Sequence, residues 1–383
     1  MEVNRILVVS NTIPYPAYFG GAFDVLERIK GLKKLGYSID LICTYKTYPS
    51  QETKEYLKTI VDDLILVTRK NNFWDILNNK PLQVVSRKKL KDIVLKKKYF
   101  HTILESEHVG LILKNQSFKS KYIYLRVHNN ETVYFNELAK STKNIFSKFY
   151  YLSDSFKFKF YSKSFFSNVN RLWYISNDEM KLQVEFKNKS IHLPSPINDP
   201  FITQTLSNKT VLFVGSLFMK NNIEALEWYL NNIHSKLLIE KDYKFIIVGG
   251  TGDVDEEIFL KKFKNISNVE YYFNVKNLKN FYAETTIFIN PMLHGAGVKL
   301  KTINAIVNGL LIVSTSIGAE GIGLIDKEMY FNADAPKTFY ESIIAIFNLS
   351  DQRKKDIVKK AQKLLMDNNY LEILIKELQN DNK

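Results

Sequence analysis

Residues 290–323 read NPMLHGAGVKLKTINAIVNGLLIVSTSIGAEGIG, and their order decides the fold. A glycine-rich loop, Gly295-Ala296-Gly297, runs into a helical pattern from Val298 to Val307. Asn308-Gly309 is a strong stop signal for that helix. The β-branched apolar run Leu310 to Thr315 then reads as a buried strand, and the small residues Ser316 to Gly321 close the unit with a second turn. The loop-then-helix order has a chemical consequence. A helix N-terminus exposes unpaired backbone N–H groups and carries partial positive charge. Glycines let a phosphate approach such groups closely. The amides from Gly295 and Gly297 through Val298 to Leu300 are therefore candidates for holding an anion. Lys299 and Lys301 add full charges where a lysine normally opposes the helix dipole, which makes sense if an anion neutralises them. On spacing alone, a surface loop of an ordinary α/β unit reads the same way.

The same stretch resembles the donor-binding segment of the retaining glycosyltransferases of family 4, the group 1 glycosyltransferases. Near members read proline, Gly-x-Gly, a small residue, Lys or Arg, x, Lys, a Glu-Ala helix, a Gly-x-Pro-Val-Val strand and Gly-Ala-Glu-Gly. Here those places hold Pro291, Gly295, Gly297, Val298, Lys299, Lys301, Asn304-Ala305, Gly309, Ile312-Val313 and Gly318-Ala319-Glu320-Gly321. The family's acidic residue before the alanine, which grips the donor ribose, is Asn304 here. An amide accepts a hydrogen bond without charge, and charged partners are worth more. The earlier glutamate of the broader family's pair falls on Ala296. The resemblance implies an α/β chain of GT-B architecture, with two Rossmann-like doubly wound parallel-sheet domains facing across a cleft. It also implies a nucleotide-sugar donor, a UDP- or GDP-sugar, and transfer with retention.

Length and composition agree with such a chain. The 383 residues are enough for two domains with full cores. A 45% hydrophobic and 25% charged composition is that of a globular protein. The single cysteine, Cys43, argues for a reducing compartment and against disulfides or a thiolate metal site. The first apolar run, Ile6 to Val9, is too short for a signal peptide, and no stretch reaches the length of a membrane span. The expected location is therefore cytoplasmic. A net charge of +14 calls for an anionic partner: phosphorylated substrate, anionic lipid on the cytoplasmic face of the inner membrane, or nucleic acid.

From the N-terminus, Arg5 to Ser10 is a short apolar strand, followed by a loop to Gly20-Gly21, a helical pattern from Ala22 to Leu35, and a strand from Ser38 to Thr44. This βαβ opening puts Gly20 and Gly21 where ligands bind in such sheets, beyond the strand ends. A simple tight turn is the alternative. Residues 50–100 read as helical and basic, and Arg87 to Lys98 holds seven basic residues and one acid. That run reads as a solvated helix face or as a patch for lipid headgroups. His101 to Ser106 and Tyr122 to His128 are further strands. The second ends in His128-Asn129-Asn130-Glu131, which resembles the family's His-Asn-x-Glu and places His128 at the transferred sugar. Residues 143–171 interleave aromatics and lysines with one acid, Asp154. They read as a helix packing its aromatics inward, as a membrane-surface helix, or as a single-strand nucleic-acid binder, in that order. Leu172 to Ser176 is a strand, Asn177 starts a helix, and Asn198 to Lys209 reads as the linker.

The pattern restarts with a strand from Thr210 to Val214, a turn at Gly215-Ser216, and Lys220 ahead of a helix from Asn222. By resemblance, Gly215 and Lys220 approach the donor diphosphate, while Leu217 or a neighbour stands where the family has arginine. Strands at Tyr243–Val248, Val269–Tyr272 and Ile287–Asn290, with a helix at Val275–Tyr282, complete the half. The expected domains are 1–198 for the acceptor and 199–350 for the donor, with a helical tail, 351–383, packing back towards the first. Other chemistries lack their signatures. There is no Gly-x-Gly-x-x-Gly after the first strand and no Walker loop. Six scattered histidines give no metal-ligand spacing, and Asp253-Val254-Asp255 reads as a solvated loop. The expected mechanism therefore uses no metal and no separate cofactor. Lys299 and His128 are its catalytic candidates, Gly20, Gly21, Gly215, Lys220, Gly295, Gly297, Val298, Leu300, Lys301 and Asn304 its donor contacts. The expected partners are the nucleotide-sugar, a glycan or lipid-linked acceptor of polysaccharide or lipopolysaccharide synthesis, and an anionic membrane surface, with no nucleic acid. A protein of this fold whose catalysis has decayed is the rival that Asn304 raises.

Overall fold

Alternate side chains of a strand point to opposite faces, so the run Ile6 to Val9 needs cover on both sides of its sheet. The computed structural model describes residues 2–17, 19–142, 144–252, 254–263, 266–275, 277–295 and 297–380. Lys143, Asp253 and Ala296, which the sequence reading used, lie outside these. The run lies in β1 (Glu2–Ser10), and all four residues are fully buried. Ile6 and Val8 join one core with Val25, Ile29 and Leu41. Leu7 and Val9 join a second with Leu104, Leu125 and Leu172. The other strands are β2 (Ser38–Tyr45), β3 (Asp63–Thr68), β4 (Tyr99–Leu104), β5 (Ser120–Val127), β6 (Arg171–Tyr174) and β7 (Ser190–His192). They pair in the order β3-β2-β1-β4-β5-β6-β7, all parallel.

A second parallel sheet contains β8 (Lys209–Ser216), β9 (Tyr243–Gly250), β10 (Val269–Phe273), β11 (Ile287–Asn290), β12 (Leu311–Ser314) and β13 (Phe331–Asn332). Its order is β10-β9-β8-β11-β12-β13. Phe213, Phe245, Ile289 and Val313 fill one of its faces, closed by Phe339 and Ile343 from the helix Pro336–Asn348. Both sheets reverse their strand order once, at β1/β4 and at β8/β11, as doubly wound Rossmann-like sheets do.

The chain divides into two compact units, Met1–Asn198 with Tyr370–Lys383, and Asp199–Asn369. The stretch read as one tail is therefore shared. The helix Asp351–Asp367 stays in the second unit, where Gln362 Nε2 donates to the carbonyls of Ile202 (2.9 Å) and Ile306 (3.0 Å). The helix Tyr370–Asn380 belongs to the first, with Leu374 and Leu378 fully buried beside Val25 and Ile29.

Three local expectations change. Residues 50–100 are not one helical region. They hold the helix Gln51–Ile60, then β3, then short turns. The basic run 87–98 is neither a long helix nor an even cationic face. It forms a single turn, Lys88–Lys91, with Arg87, Leu90 and Leu95 buried. Helix boundaries also shift: the first helix begins at Gly20, the one expected at Val275–Tyr282 contracts to Lys279–Ala283, and the one expected from Val298 starts at Leu300.

Candidate active site

The switch point of the second sheet lies between the turns that follow β8 and β11, which is where doubly wound sheets bind ligands. After β11, Gly295 has φ +136° and Gly297 φ +76°, a left-handed backbone that excludes most side chains. Lys299 is the N-cap residue of the helix Leu300–Val307, and no side chain caps that helix. The Lys299 side chain is 9% exposed. Its ammonium donates to the Gly297 carbonyl and lies 3.3 Å from Glu320 Oε2. Lys301 Nζ donates to Asn222 Oδ1 at 2.9 Å and sits 5.0 Å above the Phe213 ring. Asn222 Nδ2 in turn donates to the Ser216 carbonyl, 3.0 Å away. The two turns are thus joined through a lysine. Burial, and then the Lys299 charge, push Lys301 down to about 7. Lys301 is thus a buried amine held by a neutral amide and a ring face, next to an ammonium that Glu320 partners.

The third wall of this loop cluster is the turn after β12. Asn290 Nδ2 donates to Thr302 Oγ1 (2.9 Å) and to the Gly318 carbonyl (2.8 Å), tying that turn to β11 and to the helix. A Cβ on Gly318 would lie 2.3 Å from Ser314 Oγ and 2.4 Å from the Asn290 carbonyl oxygen, so only glycine fits. Asn304 is half-buried, one turn beyond Lys301 on the same side of its helix. Lys220 opens the helix Lys220–Tyr229 and lies 3.3 Å from Glu224. Gly215 sits inside β8, where the space of its missing side chain is taken by Asn222 and Phe213. Leu217 is buried against Gly249, so this place presents no charge to a ligand.

In the first unit, Gly20 and Gly21 are the first turn of the helix Gly20–Lys34, which no side chain caps. One turn on, Asp24 is fully buried. It accepts from Arg126 Nη2 (2.8 Å) and Nε (3.0 Å) and from Arg28 Nη2. Glu105, just past β4, accepts from Arg28 Nε at 2.7 Å. Burial alone would raise the Asp24 carboxyl, but Arg126, Arg28 and His128 outweigh it and hold it well below its ordinary value. Glu105 is lowered in the same balance, burial against Arg28 and His128. His128 follows β5 and caps this cluster, with its side chain 19% exposed. Its Nδ1 is 3.9 Å from Asp24 and its Nε2 3.8 Å from Glu105. Asp24, Glu105 and His128 bring ligand-type atoms within 4.8 Å of one another. Two arginines already neutralise the two carboxylates, so the trio does not fit a cation. What it can do is orient the His128 ring.

Sequence reasoning names His128, Lys299 and Lys301 but misses Asp24, Arg28, Glu105, Arg126, Asn222 and Asn290. The available signal is a lone charge inside an apolar pattern: Arg126 in YIYLRVH, and Asp24 and Arg28 four apart on one helix.

Comparison with known proteins adds three findings. Residues 208–348 match the family described as glycosyl transferases group 1. An uncharacterized 44.6 kDa protein in the cps region of Klebsiella pneumoniae is 40% identical, over 89% of this chain and 90% of its own length. Among solved structures, the pneumococcal O-GlcNAc transferase GtfA in complex with UDP and GlcNAc aligns with a TM-score of 0.67 at 11% identity, over 98% of this chain and 99% of that one. TarM of S. aureus, in complex with UDP and a GlcNAc-glycerol, aligns with 0.66 at 11% identity over the same shares. The two doubly wound parallel sheets and these matches agree: the chain belongs to the group 1 glycosyltransferases, enzymes of the GT-B fold.

Proposed function

We propose that the second unit binds a nucleotide-sugar donor, a UDP- or GDP-sugar. Its diphosphate lies against Lys299, Lys301 and the amides of Gly295, Gly297, Val298 and Leu300, with Lys220 at the neighbouring turn. Asn304 takes the ribose. The observation that carries this reading is the Lys299–Lys301 pair at the sheet's switch point, beside Gly295 and Gly297 with positive φ, with Lys301 pushed down to about 7 by burial and by the Lys299 charge. As the glycosidic bond breaks, negative charge grows on the departing diphosphate. Cations and amides fixed in advance stabilise that charge more than they stabilise the bound donor, which is what accelerates the step. No metal or separate cofactor is needed when the protein supplies this charge itself. Transfer retains the anomeric configuration, as in family 4, with the leaving phosphate helping to deprotonate the acceptor hydroxyl. The first unit takes a glycan or lipid-linked acceptor near Gly20, Gly21 and His128, with His128 as its catalytic candidate. The Klebsiella relative's cps region supports a place in cell-surface polysaccharide synthesis, and the net charge of +14 supports work at the cytoplasmic face of a membrane.

A thermal-shift screen of UDP-, GDP- and ADP-sugars tests the donor. A ligand at a hundred times its Kd adds about 2.7 kcal/mol of stability. The true donor shifts the wild-type chain and fails to shift Lys299→Glu. No shift by any nucleotide-sugar, or an equal shift in the charge-reversed variant, refutes the assignment.

A further inference from the structure

The helix Ile145–Ser167 is apolar on two opposite sides. On one side Phe158 packs with Val84, Leu111 and Phe135, and Asp154 accepts from the Leu82 amide at 2.9 Å. On the other, Ile145, Phe149, Leu152, Phe156 and Phe160 recur every three or four residues and form a single stripe. Their exposures run from 43% at Leu152 to 68% at Phe149, and Phe146 beside them reaches 83%. The stripe is about 22 Å long at the rise of an α-helix. A contiguous exposed apolar face on a helix whose other apolar side is already buried marks an interaction site. Lys148 and Lys159 are exposed along its flank, and Lys163 at its end pairs with Glu185 at 2.9 Å. Asp154, the helix's one acid, is on the buried side. A second element joins the face. Lys157 Nζ donates to the Ile76 carbonyl at 2.7 Å and so fixes the short turn Phe73–Leu77 against this helix. That turn carries Trp74 and Leu77, 73% and 74% exposed.

We propose that this face docks on an anionic lipid leaflet, its aromatics at the boundary of headgroups and acyl chains and its lysines on the headgroup phosphates. Exposed aromatics bordered by cations are what such a boundary selects, and the two acids next to the face are already paired, Glu185 with Lys163 and Asp75 with Lys88. A nucleic-acid strand would need a groove to follow, and this stripe is the convex side of a helix. The inference rests on the membrane-face reading above and extends it to named residues, independently of the donor site.

The test floats the full chain with phosphatidylcholine vesicles and with vesicles one-quarter phosphatidylglycerol, beside the triple variant Phe149→Ser, Phe156→Ser, Phe160→Ser. UDP- and GDP-sugar hydrolysis and the melting curve are measured on the same samples. Wild type is expected at least tenfold enriched on the anionic vesicles, and the folded triple variant is expected to lose that enrichment with hydrolysis intact. Equal recovery of wild type on both vesicles, recovery on neither, or full recovery of the triple variant overturns the proposal. So does a wild-type dimer that the variant turns into monomer, which gives the face to a second copy. Wild type that hydrolyses donor without floating defeats the lipid surface alone. Flotation without turnover of any donor supports the lipid surface and defeats the donor assignment.

Discussion

Lys299 and Lys301 set like charges within one helical turn, and their surroundings decide what that costs. Lys301 is pushed down to about 7 by burial and by Lys299. A bound diphosphate favours the charged ammonium and so raises that value. Binding then takes up a proton above pH 7, and affinity falls as pH rises from there, by up to about tenfold per unit. Calorimetric titration with UDP or GDP between pH 6 and 9 should show this slope in the wild type and a flatter one in Lys301→Met. A flat wild-type profile contradicts the placement of the phosphates. Gly318 poses a different constraint. Its missing Cβ would meet Ser314 Oγ and the Asn290 main-chain oxygen, and the latter cannot swing away. Gly318→Ala should therefore destabilise the second unit by about 1–3 kcal/mol, read as a lower urea midpoint. These residue-level facts are unevenly legible in sequence. The glycines and lysines of 295–301 are adjacent in the chain, so spacing reveals them. Asp24 and Arg126 are 102 residues apart, and Arg28 and Glu105 are 77 apart, so only the folded sheet brings them together.

At the scale of elements, the first sheet hides two kinds of buried acid. Asp24 is held low by Arg126 and Arg28, which outweigh its burial. Its stabilising contribution is present above its ordinary value of 3.8 and is lost as pH falls further. Asp24→Asn leaves two buried arginines short of a counter-charge and should destabilise the first unit by about 3–5 kcal/mol at neutral pH. Glu107, which opens the turn Glu107–Lys114 after β4, is the opposite case. Burial and the nearby Glu131 push it well above its ordinary 4.5. Any stability it gives is present below 4.5 and lost as pH rises, so at pH 7 it opposes folding. Glu107→Gln should raise the melting temperature at pH 7, by roughly 2–4 °C for each kcal/mol recovered, and flatten the pH dependence between 5 and 8. A lower melting temperature at pH 7 would show that the carboxylate is needed. Strands buried on both faces, such as β1 and β9, are easily read because their centres, Ile6 to Val9 and Phe245 to Val248, are unbroken apolar runs. β3 is half exposed at the sheet edge and merges in sequence with the helix before it. The basic run after it misleads because Arg87 is drawn inward: its Nε donates to Thr44 Oγ1 at 3.0 Å and its Nη2 to the Asn11 carbonyl at 2.9 Å. Charge counting carries no sign of such a partner.

For the whole molecule, the division into units is not the division of the chain in order. The helix Tyr370–Asn380 completes the first unit: Leu374 and Leu378 lie in its core, Tyr370 accepts from Arg28 at 3.2 Å, and Trp173 Nε1 donates to Glu377 at 3.4 Å. Truncation after Asn369 should therefore lower the stability of the first unit by several kcal/mol, from the lost burial alone, and leave that of the second nearly unchanged. Two separate transitions in a denaturant titration, with only the first-unit transition moved, would show it. A truncated chain that unfolds like the full one would mean that the helix is merely apposed.

The same arrangement orders events at the ribosome. Residues 199–369 emerge as an uninterrupted stretch and can close on themselves while the protein is still being made. The earlier 198 residues, although translated before them, lack the cover over Ile29 and Trp173 until the helix Tyr370–Asn380 emerges. For that interval the unit made first is the one a chaperone would find open.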